Sequence, residues 1–530
     1  MRGPLRRFIA SAEDPRFFPP YGIDRGMWYS GLVMNKPMMV IGCAVCALIL
    51  AGCAQPAQPI RLLKSAAGYN VAIIVIDALR ADHVGAYGYH RNTTPFLDSL
   101  AAQGLVFERA SSHSTFTRES VSAILSGVLP SENPVGMGWF AKPDPDRKNI
   151  AELFAETGYR TGFFSDTPVF EEPVFAKGFS DYERLPTPWG ASGSGMDLSK
   201  RALAFTGNAS DKPFMMYLHY LDPHDPYEPP DAFYLRFAKE RFPNPINVMQ
   251  EVRPVCHELI KQGFGPGEAR FDDMVLRYDA EIAEQDAAIE ALFRGMAQQG
   301  VLDKTIVIIT SDHGEEFLDH DFVEHAWTVY EEVLHVPLIL WRPGVAPAGR
   351  IADRVKLVDL LPTLTRALGV RCDRTDLAGE AWFVERDGQW VFAPPSKPII
   401  AEMMLETRGH VRALIHNGYK YIASPKWLTP EGCAEATKQQ KLWIAQCRVG
   451  TFAKTDPFGP TVYEALYDLR ADPREKNNIL ANNPAQAREL KAMLDAYVAE
   501  CAKRPHRSEP PPPAELTPEM RKQLEDLGYF

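Results

Sequence analysis

Apolar residues fall along this chain in short unbroken runs separated by stretches of helical period. The run at 71–76 (VAIIVI) contains no polar position, the pattern of a strand buried on both faces of a parallel sheet. The runs at 213–221 (PFMMYLHYL), 305–310 (TIVIIT) and 336–341 repeat it. Between them, 92–104, 117–125, 149–157 and 279–299 read as helices and 159–165 as a further strand. Strands alternating with helices predict an α/β fold, doubly wound around a mostly parallel central sheet. Residues 226–275 carry prolines at both ends and no clear period, and read as an insertion. After about residue 395 the spacing tightens. Short strands are expected at 398–403, 411–415, 419–422 and 465–469, then a helix at 484–497. The chain thus divides into an α/β domain (69–395), a C-terminal subdomain with a small antiparallel sheet plus a helix (396–502), and a tail (503–530) with four prolines in a row at 510–513.

The N-terminal end reads as a targeting segment. A short positive start at 34–36 (MNK) leads into a 38–50 apolar run, long enough for a signal-peptide core and too short to span a bilayer. It closes with Leu50-Ala51-Gly52-Cys53, which resembles the bacterial lipobox. That resemblance implies a lipidated Cys53 anchoring the protein to a membrane of the bacterial cell envelope, with 34–53 as signal peptide and 54–68 as a tether. Residues 1–33 then read as an upstream extension ahead of the better initiator Met34. An oxidising compartment would allow Cys433 and Cys447 to pair, while Cys256, Cys372 and Cys501 have no evident partner.

Composition narrows the function classes. The chain has 530 residues and a net charge of −11, with no basic cluster of the kind that holds a phosphate backbone, so no nucleic-acid partner is expected. Eight cysteines in this length make no disulfide scaffold.

The candidate chemistry lies just past the ends of the apolar runs, where α/β sheets bind ligands. Asp77 follows 71–76, and Asp312 and His313 follow 305–310. Thr117 opens a helix after a Ser-rich turn. Aspartate and histidine suit one divalent ion, Zn²⁺ or Mn²⁺ before Ca²⁺. Coordination is one of the few ways to make a threonine alcohol nucleophilic at neutral pH. His219 alternates within an apolar strand, and His335 lies on an apolar run. Both read more readily as core residues, and His113 as part of the Ser-rich turn.

Several ordered motifs then resemble the sulfatase branch of the alkaline phosphatase superfamily. They are 77–88 (DALRADHVGAYG), 126–130 (SGVLP), 221–227 (LDPHDPY), 310–315 (TSDHGE), His325 with 330–337 (YEEVLHVP), and 466–478, which contains LYDL, DPRE and Asn478. The terminal LGY at 527–529 fits the same family. The resemblance implies metal ligands at Asp77, Thr117, Asp312 and His313. It also implies His224 and His325 beside the ester, His224 on its oxygens and His325 at the leaving group.

The departures bear on function. Sulfatases carry a Cys or Ser that is converted to formylglycine. Counting back from Arg118 places Ser114 at that position; counting back ten from Gly127 places Thr117 there, the register that fits the helix better. Threonine cannot give formylglycine. The family's second N-terminal aspartate is Ala78 here. The remaining set resembles the single-metal site of phosphotransferases in the superfamily. The leading expectation is therefore a metal-dependent enzyme that cleaves or transfers a phosphate ester, possibly a sulfate ester, through a Thr117 nucleophile. The alternatives are a sulfatase in the strict sense and a binding lipoprotein that has kept the fold without turnover.

Overall fold

In a computed structural model of the chain, the described residues are 67–133, 146–170, 175–188, 192–208, 211–252, 256–342, 346–405, 409–424 and 463–503, with Arg61, Asp144 and Gly344. The lipobox, Cys433, Cys447 and the proline-rich tail lie outside them. Cys256, Cys372 and Cys501 form no disulfide.

The central sheet is built from β1 (Asn70–Ile76), β2 (Leu105–Ser111), β3 (Arg160–Ser165), β4 (Asp181–Arg184), β5 (Phe214–Tyr220), β6 (Thr305–Thr310), β7 (Leu338–Trp341) and β8 (Gly349–Lys356). Their order is β8-β2-β7-β6-β1-β5-β3-β4, and the short strand His335–Val336 adds to β2. Along that order all neighbours are parallel except β7, which runs against β2 and β6; the short strand also runs against β2. Every residue of β1, β5 and β6 is buried, because these three strands form the middle of the sheet with layers on both faces.

The longer helices are α1 (Pro95–Ala101), α2 (Thr117–Ser126), α3 (Ile150–Glu156), α4 (Gly195–Gly207), α5 (Ala269–Gln298), α6 (Leu360–Leu368) and α7 (Pro484–Lys503). The full length of α2 is buried. It ends at Gly127, whose φ of 69° is the left-handed stop that glycine adopts without strain. Asn149 caps α3 by accepting from the Glu152 N–H at 3.0 Å. α5 starts ten residues before the expected position, inside the presumed insertion. Its first turns hide their period because the polar residues Asp273 and Arg277 are buried as an ion pair at 3.0 Å.

The C-terminal sheet is β9 (Ile399–Leu405), β10 (Gly409–His416), β11 (Tyr419–Ser424) and β12 (Tyr463–Asp468), antiparallel in that order, with α7 packed on it. Two buried links tie it to the larger sheet. Lys420 pairs with Glu475 at 3.0 Å and Glu331 at 3.3 Å. His113 Nδ1 donates to the Ile400 carbonyl at 2.6 Å, and the Glu402 N–H donates to the His113 carbonyl at 2.9 Å.

Candidate active site

The order β6-β1-β5 brings three strand ends together. In the register Ile76 lies beside Tyr220 and Val75 beside Thr310, so the residues that follow these strands meet at one edge. Asp77, Asp312 and His313 are wholly buried there. The Ala78 N–H points at Asp312 Oδ1 (3.3 Å), and the His313 N–H donates to the same oxygen at 2.9 Å. Ala78, standing where a second aspartate was expected, takes a left-handed φ of 55°. It thus contributes a backbone donor to the cluster.

Thr117, the first residue of α2, brings its Oγ1 to 3.5 Å from Asp77 Oδ1 and 3.2 Å from His313 Nε2. Ser120, one turn on, donates to the Asp312 carbonyl at 2.7 Å and fixes α2 against the end of β6. Ser114 lies elsewhere. Its hydroxyl donates to Glu119 at 2.5 Å and accepts from the Phe116 N–H at 3.2 Å. Arg118, the residue that motivated the Ser114 register, donates to the Val169 carbonyl at 2.7 Å and stacks over Phe175.

His313 donates from Nδ1 to the Gly314 carbonyl (2.9 Å), which leaves the Nε2 lone pair toward Thr117 and Asp77. The His325 ring lies 4.4 Å from that of His313, and His224 lies 4.7 Å from His325. His325 Nδ1 is bonded to Glu315 Oε1 at 3.0 Å, and the Tyr227 hydroxyl donates to Glu315 Oε2 at 2.9 Å. Burial alone would lower the His224 pKa, but the charges of Asp225, Asp77 and Glu315 outweigh it and push it up to about 10. His224 is therefore a cation at neutral pH. All six residues singled out in the sequence converge on one site.

His219 belongs to the cluster as well. Its Nε2–H donates to Asp77 Oδ2 at 3.1 Å, and its Nδ1 accepts from the Tyr217 hydroxyl at 3.2 Å. It orients the carboxylate rather than packing passively. The signal was its place: β5 adjoins β1, so a histidine near the end of one faces the aspartate after the other. His335 does serve as a structural residue, bonded to the Glu108 carbonyl at 2.9 Å. Arg80 forks onto Asp82 at 2.8 Å and braces the first loop against Asp319.

The donor set fits a divalent ion. Asp77 and Asp312 present buried carboxylate oxygens within 4.8 Å of each other and of a His219 ring nitrogen, and His219, already bonded to Asp77 and Tyr217, orients this set. Asp312 Oδ2 is buried with no hydrogen-bond partner. Burial and the Asp77 charge raise the Asp312 pKa. Asp77 is held below the ordinary range, because its bond from His219 and the charges of His219, His224 and His313 outweigh its burial. A divalent ion between the two carboxylates would favour the ionised form of both.

A family model named Sulfatase matches residues 69–370, more than half the chain and all of the strand ends just described. The chain belongs to the sulfatase family. It is a sulfatase-like hydrolase of the alkaline phosphatase superfamily. Among its relatives is a Delta 4,5-hexuronate-2-O-sulfatase of Bacteroides thetaiotaomicron, 25% identical over 478 residues, covering 81% of this chain and 88% of that one. A solved structure of a protein in complex with its substrate D-glucosamine-2-N,6-O-disulfate matches with a TM-score of 0.61 at 18% identity, covering 84% of this chain and 100% of the other. The phosphonate monoester hydrolase of Agrobacterium radiobacter matches with a TM-score of 0.58 at 18% identity, over 82% and 96%. At this identity the two structures speak for the fold alone. These sulfatase-family comparisons favour the sulfatase alternative over the phosphate-ester expectation.

Proposed function

We propose that this sulfatase-family hydrolase cleaves a sulfate ester with the Thr117 hydroxyl as nucleophile, at a site where Asp77, Thr117, Asp312 and His313 hold one divalent ion, Zn²⁺ or Mn²⁺. One observation carries the nucleophile: the Thr117 hydroxyl opens a buried helix within 3.5 Å of both Asp77 and His313. The sulfated sugars named for the relatives support the substrate class. A bound divalent ion lowers the pKa of an adjacent alcohol and neutralises charge on an anionic ester.

The rest of the chemistry belongs to the chain. The N–H groups of the first turn of α2 face the ester oxygens. The His224 imidazolium binds those oxygens and keeps its charge at neutral pH. His325, fixed through Nδ1 by Glu315, delivers the leaving-group proton from Nε2. The Thr117 alcohol gives up its proton to solvent as it attacks, and water then cleaves the covalent threonine ester, passing a proton to the now neutral His325 while the departing Thr117 oxygen is reprotonated.

A phosphate-ester substrate is the second reading, and one observation favours it. Threonine offers no aldehyde route for release, so water must attack the sulfur or phosphorus of the threonine ester itself. The sequence at 50–53 supports a further proposal, an acylated Cys53 that anchors the enzyme in a bacterial cell envelope.

The test is a parallel assay of the Zn²⁺- or Mn²⁺-loaded enzyme and its Thr117→Ala variant on p-nitrophenyl sulfate, phosphate, phosphodiester and phosphonate. Thr117-dependent turnover highest on sulfate supports the first reading. Highest turnover on phosphate or phosphodiester supports the second. Turnover that survives in Thr117→Ala defeats both.

A further inference from the structure

A second buried polar nest lies beside the end of β5, and the ester chemistry makes no use of it. Asp222 follows β5 directly, and Glu281 and Gln285 stand one turn apart on α5, on one face of that helix. All three are buried. Gln285 Nε2 donates to Asp222 Oδ2 at 3.0 Å. The Gly193 N–H donates to Asp222 Oδ1 at 2.7 Å, and the Ser192 hydroxyl donates to Glu281 Oε1 at 3.2 Å.

Two oxygens in this nest, Glu281 Oε2 and Gln285 Oε1, are buried with no hydrogen-bond partner. Asp166 lies alongside with both oxygens taken by the backbone N–H groups of Leu221 and Ser194. Among the described residues, no lysine or arginine pairs with Asp166, Asp222 or Glu281. Burial first, and then the Asp166 charge on Asp222 and the Asp222 charge on Glu281, push both carboxyls well above their ordinary range. The start of α4 is shaped to this arrangement. A Cβ at Gly195 would lie 2.1 Å from Gln285 Oε1, so only glycine leaves that oxygen its place.

We propose that Asp222, Glu281, Gln285 and Ser192 hold a second divalent cation, of the calcium class. The donors are two carboxylates, an amide oxygen and a hydroxyl, with no nitrogen or sulfur among them. Ca²⁺ takes such oxygen sets, whereas the histidine-bearing site at Asp77 suits Zn²⁺ or Mn²⁺. The cation gives both orphan oxygens a partner and offsets the carboxylate repulsion. It also ties the loop that carries His224 to α5, so it positions that residue without touching the ester.

The experiment uses the full-length Asp312→Ala protein, which lacks the first ion's ligand, stripped with a calcium chelator and then titrated with Ca²⁺. One retained calcium per chain by elemental analysis and a Ca²⁺-dependent rise in Tm are expected. Glu281→Gln added to that protein should abolish both, and Gln285→Ala supplies the same comparison if Glu281→Gln folds poorly. No retained calcium, an unmoved Tm, or undiminished calcium in the added variants overturns the proposal and leaves shared protons as the compensation for these carboxyls.

Discussion

The hydroxyl oxygen of Thr117 lies 3.2 Å from Nε2 of His313, across 196 residues of sequence. The Ser120 bond to the Asp312 carbonyl seats α2 against the end of β6 and helps hold the two side chains in reach. The His313 tautomer, fixed by the Gly314 carbonyl, turns a lone pair toward the alcohol. The contact joins a nucleophile candidate to a metal-ligand candidate.

Thr117→Ala should lower kcat/KM by about 10³-fold or more, since it removes the attacking oxygen and a ligand together. Thr117→Ser should keep measurable activity. Ser114→Ala should cost about tenfold or less, because that hydroxyl serves Glu119 and the Phe116 N–H rather than the site. Steady-state kinetics of the three variants check this ordering.

Asp312→Ala should abolish divalent-ion binding at the Asp77 cluster and abolish activity while leaving the sheet folded. In metal-free protein Asp312→Asn, which keeps an acceptor for the Ala78 and His313 N–H groups, should hold or raise Tm, because it relieves the repulsion on Asp77. Elemental analysis of the first variant and calorimetry of the second, stripped of metal, read the two effects. A clear fall in the metal-free Tm would contradict the repulsion argument.

His113 should set part of the acid stability. Burial, with a smaller effect from the Lys356 charge, holds its pKa down at about 3 against the bond to the Ile400 carbonyl. The folded value lies below the unfolded one, so the unfolded chain takes up the proton first. The contribution is full above pH 6.5 and is lost at about 1.4 kcal/mol per unit as pH falls toward 3. Urea unfolding at pH 7, 6 and 5 should show a steeper loss for wild type than for His113→Gln. Equal slopes would refute the assignment.

His224 should govern the alkaline limb of activity. Its folded pKa is raised to about 10, so the imidazolium keeps its charge through neutral pH and loses it as pH rises through about 10. kcat/KM should hold through neutral pH and fall as pH approaches 10. His224→Gln should lower kcat/KM at neutral pH by about 10- to 100-fold and flatten that limb. An unchanged alkaline limb in the variant would remove His224 from the site.

The sequence announced the middle of the fold more clearly than its edges, for physical reasons. β1 and β6 lack polar interruption because both faces are covered, so 71–76 and 305–310 stood out. β4 reads Asp-Tyr-Glu-Arg and β8 carries charges in its middle, because both are edge strands with solvent on one side. Neither resembles a core strand, and neither was foreseen. In the site, Asp77, Thr117, Asp312, His313, His224 and His325 were legible because each sits in a motif of fixed spacing. From sequence His219 reads as core because its neighbours in β5 are core. The nest of Asp222, Glu281 and Gln285 was hidden, since no spacing relates a strand end to a helix some sixty residues later.

The central claim is that Thr117 attacks the ester, and rapid quench tests it most directly. The metal-loaded enzyme would be mixed with p-nitrophenyl sulfate, and separately with p-nitrophenyl phosphate, stopped in acid, digested and mapped by mass spectrometry. A sulfo or phospho adduct on Thr117 that forms and decays at the rate of turnover is the expected result, and its identity distinguishes the two substrate readings. A catalytic adduct on another residue, or an aldehyde at position 114, would contradict the account.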